Sequence, residues 1–367
     1  MATPSSAMSL AFQYQQTCQW PQAEALYRHV LAAEPGNADA HNSLGIVLFA
    51  QGKIMEAGHS FRRAIYFRHD FTDAVYNLAK ACYAQESWHE AARLLETSLK
   101  LKEPDRLVLD ALARLYHSRL GQPDKALHYY RRCLALDPDN PDLRYQVEAL
   151  SGCSTLARMP AEAVTAIYNA DAERWDRTVQ EQGYQSPQWL KAALGPEPAQ
   201  LKSLDVLDLG CGTGLCGLCF HAWARSLTGI DLSPNMLDQA RNRGIYDELV
   251  HGDIITAPRQ FVDRFDLVVA SDVLLLLGDL AALFQAVHQA VRPGGRFAFT
   301  VDLHAGPEDY RLTPWSVFGH SRPYLQKLAA DTGWHVISMK DVMFPRENRT
   351  QVAGLVVVLA RADEPEA

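Results

Sequence analysis

Three carboxylates and a run of glycines in the second half of the chain have the types and spacing for ligand chemistry. Asp205-Val206-Leu207-Asp208-Leu209 reads as a buried strand running into Gly210-Cys211-Gly212-Thr213-Gly214. Glycines there let backbone approach a ligand closely, and the helix that follows offers unpaired N–H groups. Gly212 to Gly217 alone satisfies the G-x-G-x-x-G spacing associated with dinucleotides. Asp208 argues for a different ligand, because a carboxylate at a strand end is a poor neighbour for pyrophosphate and suits a cation. Asp231, at the next strand's tip, is placed to accept bonds from two ribose hydroxyls. Asp253, in Gly252-Asp253-Ile254, can receive an adenine amino group. Together these residues predict one pouch for a cationic nucleoside, with a nicotinamide dinucleotide as the competing ligand.

Acceptor-side chemistry would come from later segments. Asp272 at the fourth strand's tip and His304 just past the fifth lie where an acceptor is expected, while Tyr310, His320 and Tyr324 belong to a segment that folds over it. His320 and His304 are the candidate bases, needed if the acceptor is a hydroxyl, carboxylic acid or ammonium. Asp272, Tyr310 and Tyr324 are candidate acceptor contacts. Tyr168 and Trp175 are candidates for an aromatic lid, with ordinary packing as the alternative. Ser271-Asp272-Val273-Leu274 is not the Asn/Asp-Pro-Pro-aromatic loop that grips planar amides or nucleobase amines. Cys216 and Cys219 have C-x-x-C spacing without a second ligand pair, so buried packing is expected and no metal. No P-loop and no H-E-x-x-H occurs.

Positioning these residues requires strands alternating with helices. Strands are predicted at Asp205–Leu209, Leu227–Asp231, Glu248–Val250, Phe265–Ala270, Arg296–Val301, Val336–Val342 and Leu355–Ala360, with helices after the glycine loop through Trp223 and from Ser233-Pro234 onward. This alternation calls for a mainly parallel sheet covered on both faces, with ligands beyond the strands' C-terminal ends. Ala161–Gln182 is helical in character, and Gly195-Pro196-Glu197-Pro198 is a turn-rich break.

The first half repeats. Ala23, Ala57 and Ala91 form one column at a step of 34, Tyr27, Phe61 and Leu95 a second, and Val30, Ala64 and Ser98 a third. Ala126, Tyr130, Cys133 and Pro138 continue them offset by one residue, which places an insertion in the Ser118–Lys125 loop. Pro35, Pro104 and Pro138 fall at or next to unit ends, and Leu44-Gly45 marks a close helix approach. The domain boundary is expected near 151–160.

The chain has 367 residues, 48% apolar and 21% charged, with a formal net charge of −8. That suffices for two packed domains and argues against a general nucleic-acid or anionic-membrane binder. Seven cysteines, unevenly placed, make no disulfide framework. No apolar run approaches the ~20 residues that span a bilayer. A cytoplasmic protein is expected.

The repeat columns resemble the tetratricopeptide repeat, over three and a half to four units. Asp208–Gly214, Asp231, Asp253, Phe265–Asp272 and Val291–Gly295, in that order, resemble the class I S-adenosylmethionine-dependent methyltransferases over about 160–362. The combination, with Gly278-Asp279-Leu280, Tyr310-Arg311-Leu312 and Gly319-His320-Ser321, is similar to a bacterial group of repeat-containing predicted methyltransferases. In that group an arginine and an aromatic residue often precede His-Ser, but here Trp315-Ser316-Val317-Phe318-Gly319 lacks the arginine.

The resemblance implies two domains. An N-terminal all-α repeat solenoid with capping helix spans 4–150, linker and lid helices 151–200, and a Rossmann-like α/β domain with a seven-stranded sheet 201–362. It implies S-adenosylmethionine as cofactor, held by Asp208, Gly210, Gly212, Gly214, Asp231, Leu232, Asp253, Ile254, Ser271, Tyr168 and Trp175. The repeats imply capture of a protein or peptide, as acceptor or partner. A small-molecule, carrier-bound or free, O- or N-methyl acceptor with repeats used for assembly or a homodimer is the alternative, and a non-catalytic cofactor-binding module the third.

Overall fold

The computed structural model describes residues 4–101, 105–152, 156–196, 202–345 and 351–362; Pro104, Glu197 and Pro198 lie outside them. The chain divides into two compact units, Met1–Leu143 and Arg144–Ala367. The division comes before the predicted 151–160. The second half of the capping helix, with Tyr145 and Ala149, is buried in a cluster with Met159 and Phe318, and the Tyr145 hydroxyl donates to the Ser316 carbonyl at 2.8 Å.

The first unit is four helix pairs. Helices α1 (Pro4–Gln16), α3 (Ala38–Ala50), α5 (Thr72–Ala84) and α7 (Arg106–Arg114) alternate with α2 (Trp20–Ala33), α4 (Ile54–Phe67), α6 (Trp88–Leu101) and α8 (Pro123–Leu136). The column residues Ala23, Ala57, Ala91 and Ala126 are buried, as are Tyr27, Phe61, Leu95 and Tyr130. The inserted residue is absorbed in a π-helical turn, Leu115–Arg119, directly after α7. One extra residue in a helical segment widens a turn in this way.

At Gly45 a Cβ would lie 2.5 Å from the Phe61 ring. Alanine gains about 1 kcal/mol of helix propensity over glycine, but overpacking a tight contact costs about 1–3 kcal/mol. Gly45→Ala should therefore destabilise the repeat unit, by about 1 kcal/mol net, read as a lower denaturation midpoint. A raised midpoint would contradict this packing.

Helix α9 (Pro141–Ser151) spans the division, and in the second unit α10 (Ala161–Asp171), α11 (Trp175–Glu181) and α12 (Ser186–Leu194) precede the sheet. The predicted helix over 161–182 is broken between α10 and α11. Strands β1 (Leu204–Leu209), β2 (Ala224–Asp231), β3 (Glu248–His251), β4 (Phe265–Ala270) and β5 (Val291–Leu303) are parallel in the order β3-β2-β1-β4-β5. Between them run α13 (Leu215–Phe220), α14 (Pro234–Arg243) and α15 (Ala281–Ala290). After β5 come β6 (Tyr310–Leu312), β7 (Phe318–His320), α16 (Arg322–Asp331), β8 (Trp334–Pro345) and β9 (Gln351–Arg361).

Among the described residues the sheet has nine strands: the expected seven and an additional hairpin formed by β6 and β7. Asp302 pairs with Gly354 of β9 and with Gly319 of β7, so β7 lies on β5's other side, the side of β4. The hairpin thereby continues the sheet past the end of β4.

Alternation along the strands sends side chains to two cores. Leu207, Leu209, Val268, Phe297 and Phe299 pack with α15 and α16 on one face. Val206, Leu227, Leu267, Val269 and Ala298 pack with α12 and α13 on the other. Among the described residues no helix is long and apolar enough to cross a membrane.

Candidate functional site

The parallel strands end together, and the switch in strand order falls between β1 and β4, where open α/β sheets bind ligands. A cavity of about 310 Å³ opens there. Its floor is the loop between β1 and α13. Gly210, Gly212 and Gly214 all have positive φ, and a Cβ on Gly210 would lie 2.5 Å from a Val273 methyl. A side chain is excluded at Gly210, so backbone faces the cavity there.

Asp231 ends β2 and closes the loop. Its Oδ2 accepts from the Gly212 N–H at 2.9 Å and its Oδ1 from the Ser233 N–H at 2.8 Å. Burial nevertheless pushes its carboxyl above the usual range. Ser233, as predicted, caps α14. Past β3, Asp253 accepts from the Ile255 N–H at 2.8 Å through Oδ1, while Oδ2 pairs with Arg158 at 2.5 Å. At the β4 tip the Ser271 hydroxyl pairs with the Tyr184 hydroxyl at 2.8 Å. Asp272 adopts φ +51°. Its Oδ2 accepts from Ser186 at 2.7 Å and its Oδ1 from Thr300 at 3.0 Å.

Helices α10 and α11 form one wall. Asn169 accepts from the Ser233 hydroxyl at 2.7 Å, and Asp176 pairs with Thr213 and Arg243. Tyr168 and Trp175 meet edge to face, ring centroids 5.3 Å apart, and both line the cavity.

Of the residues expected at the ligand, Gly210, Gly212, Asp231, Leu232, Asp253, Ile254, Ser271, Tyr168, Trp175 and Asp272 line this cavity. Gly214 and Asp208 are not in its wall. Asp208 is fully buried beneath the loop, where Tyr246 donates to its Oδ2 at 2.7 Å. Oδ1 has no hydrogen-bond partner among the described residues. Burial pushes this carboxyl up to about 7, with Tyr246 opposing. The expectation that Asp208 faces a cationic ligand is corrected: it is a buried pillar of the loop.

The histidines and tyrosines are corrected too. His320 is fully buried, bonded through Nε2 to the Gly278 carbonyl at 3.1 Å and stacked on Tyr324. Burial pushes its imidazole down to about 4. Tyr324 accepts from the Leu280 N–H at 2.9 Å and donates to Asp279 at 3.2 Å. Tyr310 packs against Gly278. These residues knit the Gly278–Leu280 corner to the β6–β7 hairpin and α16 and do not reach the cavity. His304 is held locally, Nε2 on the Glu308 carbonyl at 2.8 Å and Nδ1 accepting from the Gly306 N–H at 2.9 Å.

No motif marks Arg158, Tyr184 or Ser186, which line the cavity from the segment before β1. Arg158 is delivered by a strap on the 274–278 loop: Met159 N–H donates to the Leu276 carbonyl at 2.8 Å and Gly278 N–H to Ala157 at 2.7 Å. Tyr246, behind Asp208, also carries no motif. Cys211 and Cys216 are buried, and no metal-ligating cluster occurs among the described residues.

The family model described as methyltransferase domain matches residues 206–295. Tetratricopeptide repeat matches 71–139, and anaphase-promoting complex, cyclosome, subunit 3 matches 16–98. A malonyl-[acyl-carrier protein] O-methyltransferase of Pseudescherichia vulneris is 34% identical over 138 residues, 38% of this chain and 53% of that protein. A ubiquinone biosynthesis O-methyltransferase of a Methylobacterium species is 33% identical over 28% of this chain and 42% of that protein. The chain thus spans about half the length of these relatives. The crystal structure of an S-adenosylmethionine-dependent methyltransferase from Mesorhizobium loti aligns with 49% of this chain and 99% of its own, at 25% identity and a TM-score of 0.40. The chain thus carries tetratricopeptide repeats in its first half and, over residues 206–295 of its second, a methyltransferase domain of the class I S-adenosylmethionine-dependent kind.

Proposed function

We propose that the second unit transfers the methyl group of S-adenosylmethionine to a small-molecule acceptor, free or carried on a partner. The observation that carries this reading is the convergence of Asp231, Asp253 and the bare Gly210–Gly212 backbone on one cavity. The names of the relatives favour a small or carrier-bound acceptor over a protein side chain. When bound, the cofactor supplies an already activated methyl. What the chain must add is position and dryness.

Asp231 is assigned to the ribose hydroxyls, Asp253 to the adenine amino group, and Leu232 and Ile254 to the nucleoside faces. Gly210, Gly212 and Ser271 are assigned to the amino-acid end. Tyr168 and Trp175, latched through Asn169 and Asp176, cover the ligand and exclude water. Gly214 and Asp208 act indirectly, by shaping the loop.

The repeat unit is assigned to recruiting a protein partner, with a second copy of the chain as the alternative. A groove of about 320 Å³ in that unit, lined by Asn42, Asp73, Tyr76, Asn77 and Asp105 among others, supports this assignment. We place the protein in the cytoplasm, where thiols stay reduced.

Cell extract incubated with the protein and deuterated-methyl cofactor tests the reading. Mass spectrometry should find a label on one small or carrier-bound product. Label confined to a protein side chain would favour the repeats as an acceptor-docking device, and no label anywhere would favour a non-catalytic cofactor-binding module.

A further inference from the structure

Resting on the methyltransferase reading above, we propose that the acceptor is an uncharged, largely apolar molecule bearing a phenolic or enolic hydroxyl, that Asp272 receives its proton, and that the site rejects carboxylate acceptors. Among the described residues, three carboxylates line the cavity, Asp231, Asp253 and Asp272, against one basic residue, Arg158. That guanidinium is engaged by Asp253 at 2.5 Å, on the β3 side. An acceptor carboxylate would therefore enter a wall of its own sign with the lining cation already committed. Taking a second anion into such a site without a counter-charge is strongly unfavourable.

Asp272 is held for a purpose other than packing. It keeps φ +51°, a conformation non-glycine residues rarely adopt. Strain of this kind persists where surrounding structure over-determines it, and here two elements do so through three hydrogen bonds. Ser186 opens α12, Thr300 lies in β5, and both hydroxyls donate to the carboxylate, while the Asp272 N–H donates back to Thr300 Oγ1 at 2.8 Å. The adjacent Tyr184–Ser271 hydroxyl pair continues this polar strip. Apolar side chains, among them Met159, Leu275, Leu277, Val317 and Phe344, line the same cavity. A polar strip carrying one anion, set in an apolar wall, matches a ring or chain with one O–H.

The carboxylate also discriminates between hydroxyl and amine. A neighbouring anion raises an ammonium's pKa and keeps its lone pair protonated, which blocks attack. A phenol, with an ordinary pKa near ~10, instead donates a hydrogen bond to Asp272 and becomes more nucleophilic. As the acceptor oxygen forms its bond to the methyl carbon, the carbon–sulfur bond breaks and its electron pair stays on sulfur, giving a neutral thioether. The hydroxyl proton passes to Asp272, so charge and atoms balance. Ser186 and Thr300 are positioning residues that aim the carboxylate.

Calorimetry on the full chain saturated with S-adenosylhomocysteine tests this at pH 7.5 with two probes, 4-propylphenol and 4-propylbenzoate. The phenol should bind at least about tenfold more tightly, and Asp272→Asn should shrink that gap to about threefold or less by removing the repulsion. The wild-type comparison stands even if the variant fails to fold, and retention of S-adenosylhomocysteine binding shows that it has folded. Equal or tighter benzoate binding, binding of neither probe, or a gap unchanged in Asp272→Asn overturns the proposal. So does a loss of S-adenosylhomocysteine affinity beyond about tenfold in an Asp272→Asn chain that unfolds cooperatively by circular dichroism, which assigns the carboxylate to the cofactor. If the wild-type chain does not bind S-adenosylhomocysteine at all, it is the methyltransferase reading that falls.

Discussion

Asp231→Ala should weaken S-adenosylhomocysteine binding by about 1–3 kcal/mol, roughly five- to 150-fold, with Asp231→Asn falling between variant and wild type. The carboxylate has two tasks that alanine removes together. It is the assigned acceptor for the ribose hydroxyls, and a charged acceptor lost from a buried site costs about that much. It also accepts from Gly212 and Ser233 N–H, so its loss frees the glycine loop at one end and the β2–α14 turn at the other. Asparagine retains one carbonyl oxygen and can hold only one of these donors. Calorimetry reads the affinity, and thermal unfolding of the unliganded chain separates loop collapse from lost ribose contacts. Unchanged affinity in Asp231→Ala would remove the ribose assignment.

The second large effect concerns Asp208. Burial pushes its carboxyl in the folded chain up to about 7, from an ordinary value of 3.8. The folded state therefore holds a proton that the unfolded chain releases between about pH 4 and pH 7. By linkage, stability falls as pH rises through that window, and the loss is complete above about pH 7. At about 1.4 kcal/mol per pKa unit, the full effect reaches about 4 kcal/mol.

Asp208→Asn removes the titration, so its stability relative to wild type should improve from pH 5 to about pH 7 and then level off toward pH 8. His320 works in the opposite sense. Its imidazole is pushed down to about 4 by burial, so its contribution is present above about pH 6.5 and is lost as pH falls toward 4. The difference between Asp208→Asn and wild type is therefore the informative quantity, since His320 cancels in it. Tyr246→Phe should act oppositely to Asp208→Asn, because it withdraws the donor that favours the ionised carboxylate. A pH-independent difference between Asp208→Asn and wild type, measured by denaturant unfolding at pH 5, 6, 7 and 8, would contradict this role for Asp208.

What could be read from the sequence was what depends on local spacing. Helix starts at Ala38, Thr72 and Arg106 fall at the predicted step of 34, because each repeat packs only on its neighbours and the columns are their own contacts. Asp231 and Asp253 were legible as cavity residues because a strand tip is a sequence position, fixed once strand and glycine loop are recognised. Residues whose place depends on long-range packing were not. His320 and His304 have the chemistry of bases, yet His320 is sealed between Gly278 and Tyr324. Asp208 has the right spacing, yet Tyr246 covers it from 38 residues away. Arg158, Tyr184 and Ser186 come from a segment without a motif, brought to the cavity by the strap on 274–278 and by the start of α12. The β6–β7 hairpin escaped notice because strands of three residues carry too little alternation to register.

The central claim is that the β1, β2 and β3 tips form a single pouch for a sulfur nucleoside. Calorimetric titration of the full chain with S-adenosylhomocysteine, and separately with NADH, tests it most directly. One saturable site for S-adenosylhomocysteine, weakened in Asp231→Ala, with no heat from NADH, is the predicted result. Saturable NADH binding with no response to S-adenosylhomocysteine would contradict the account.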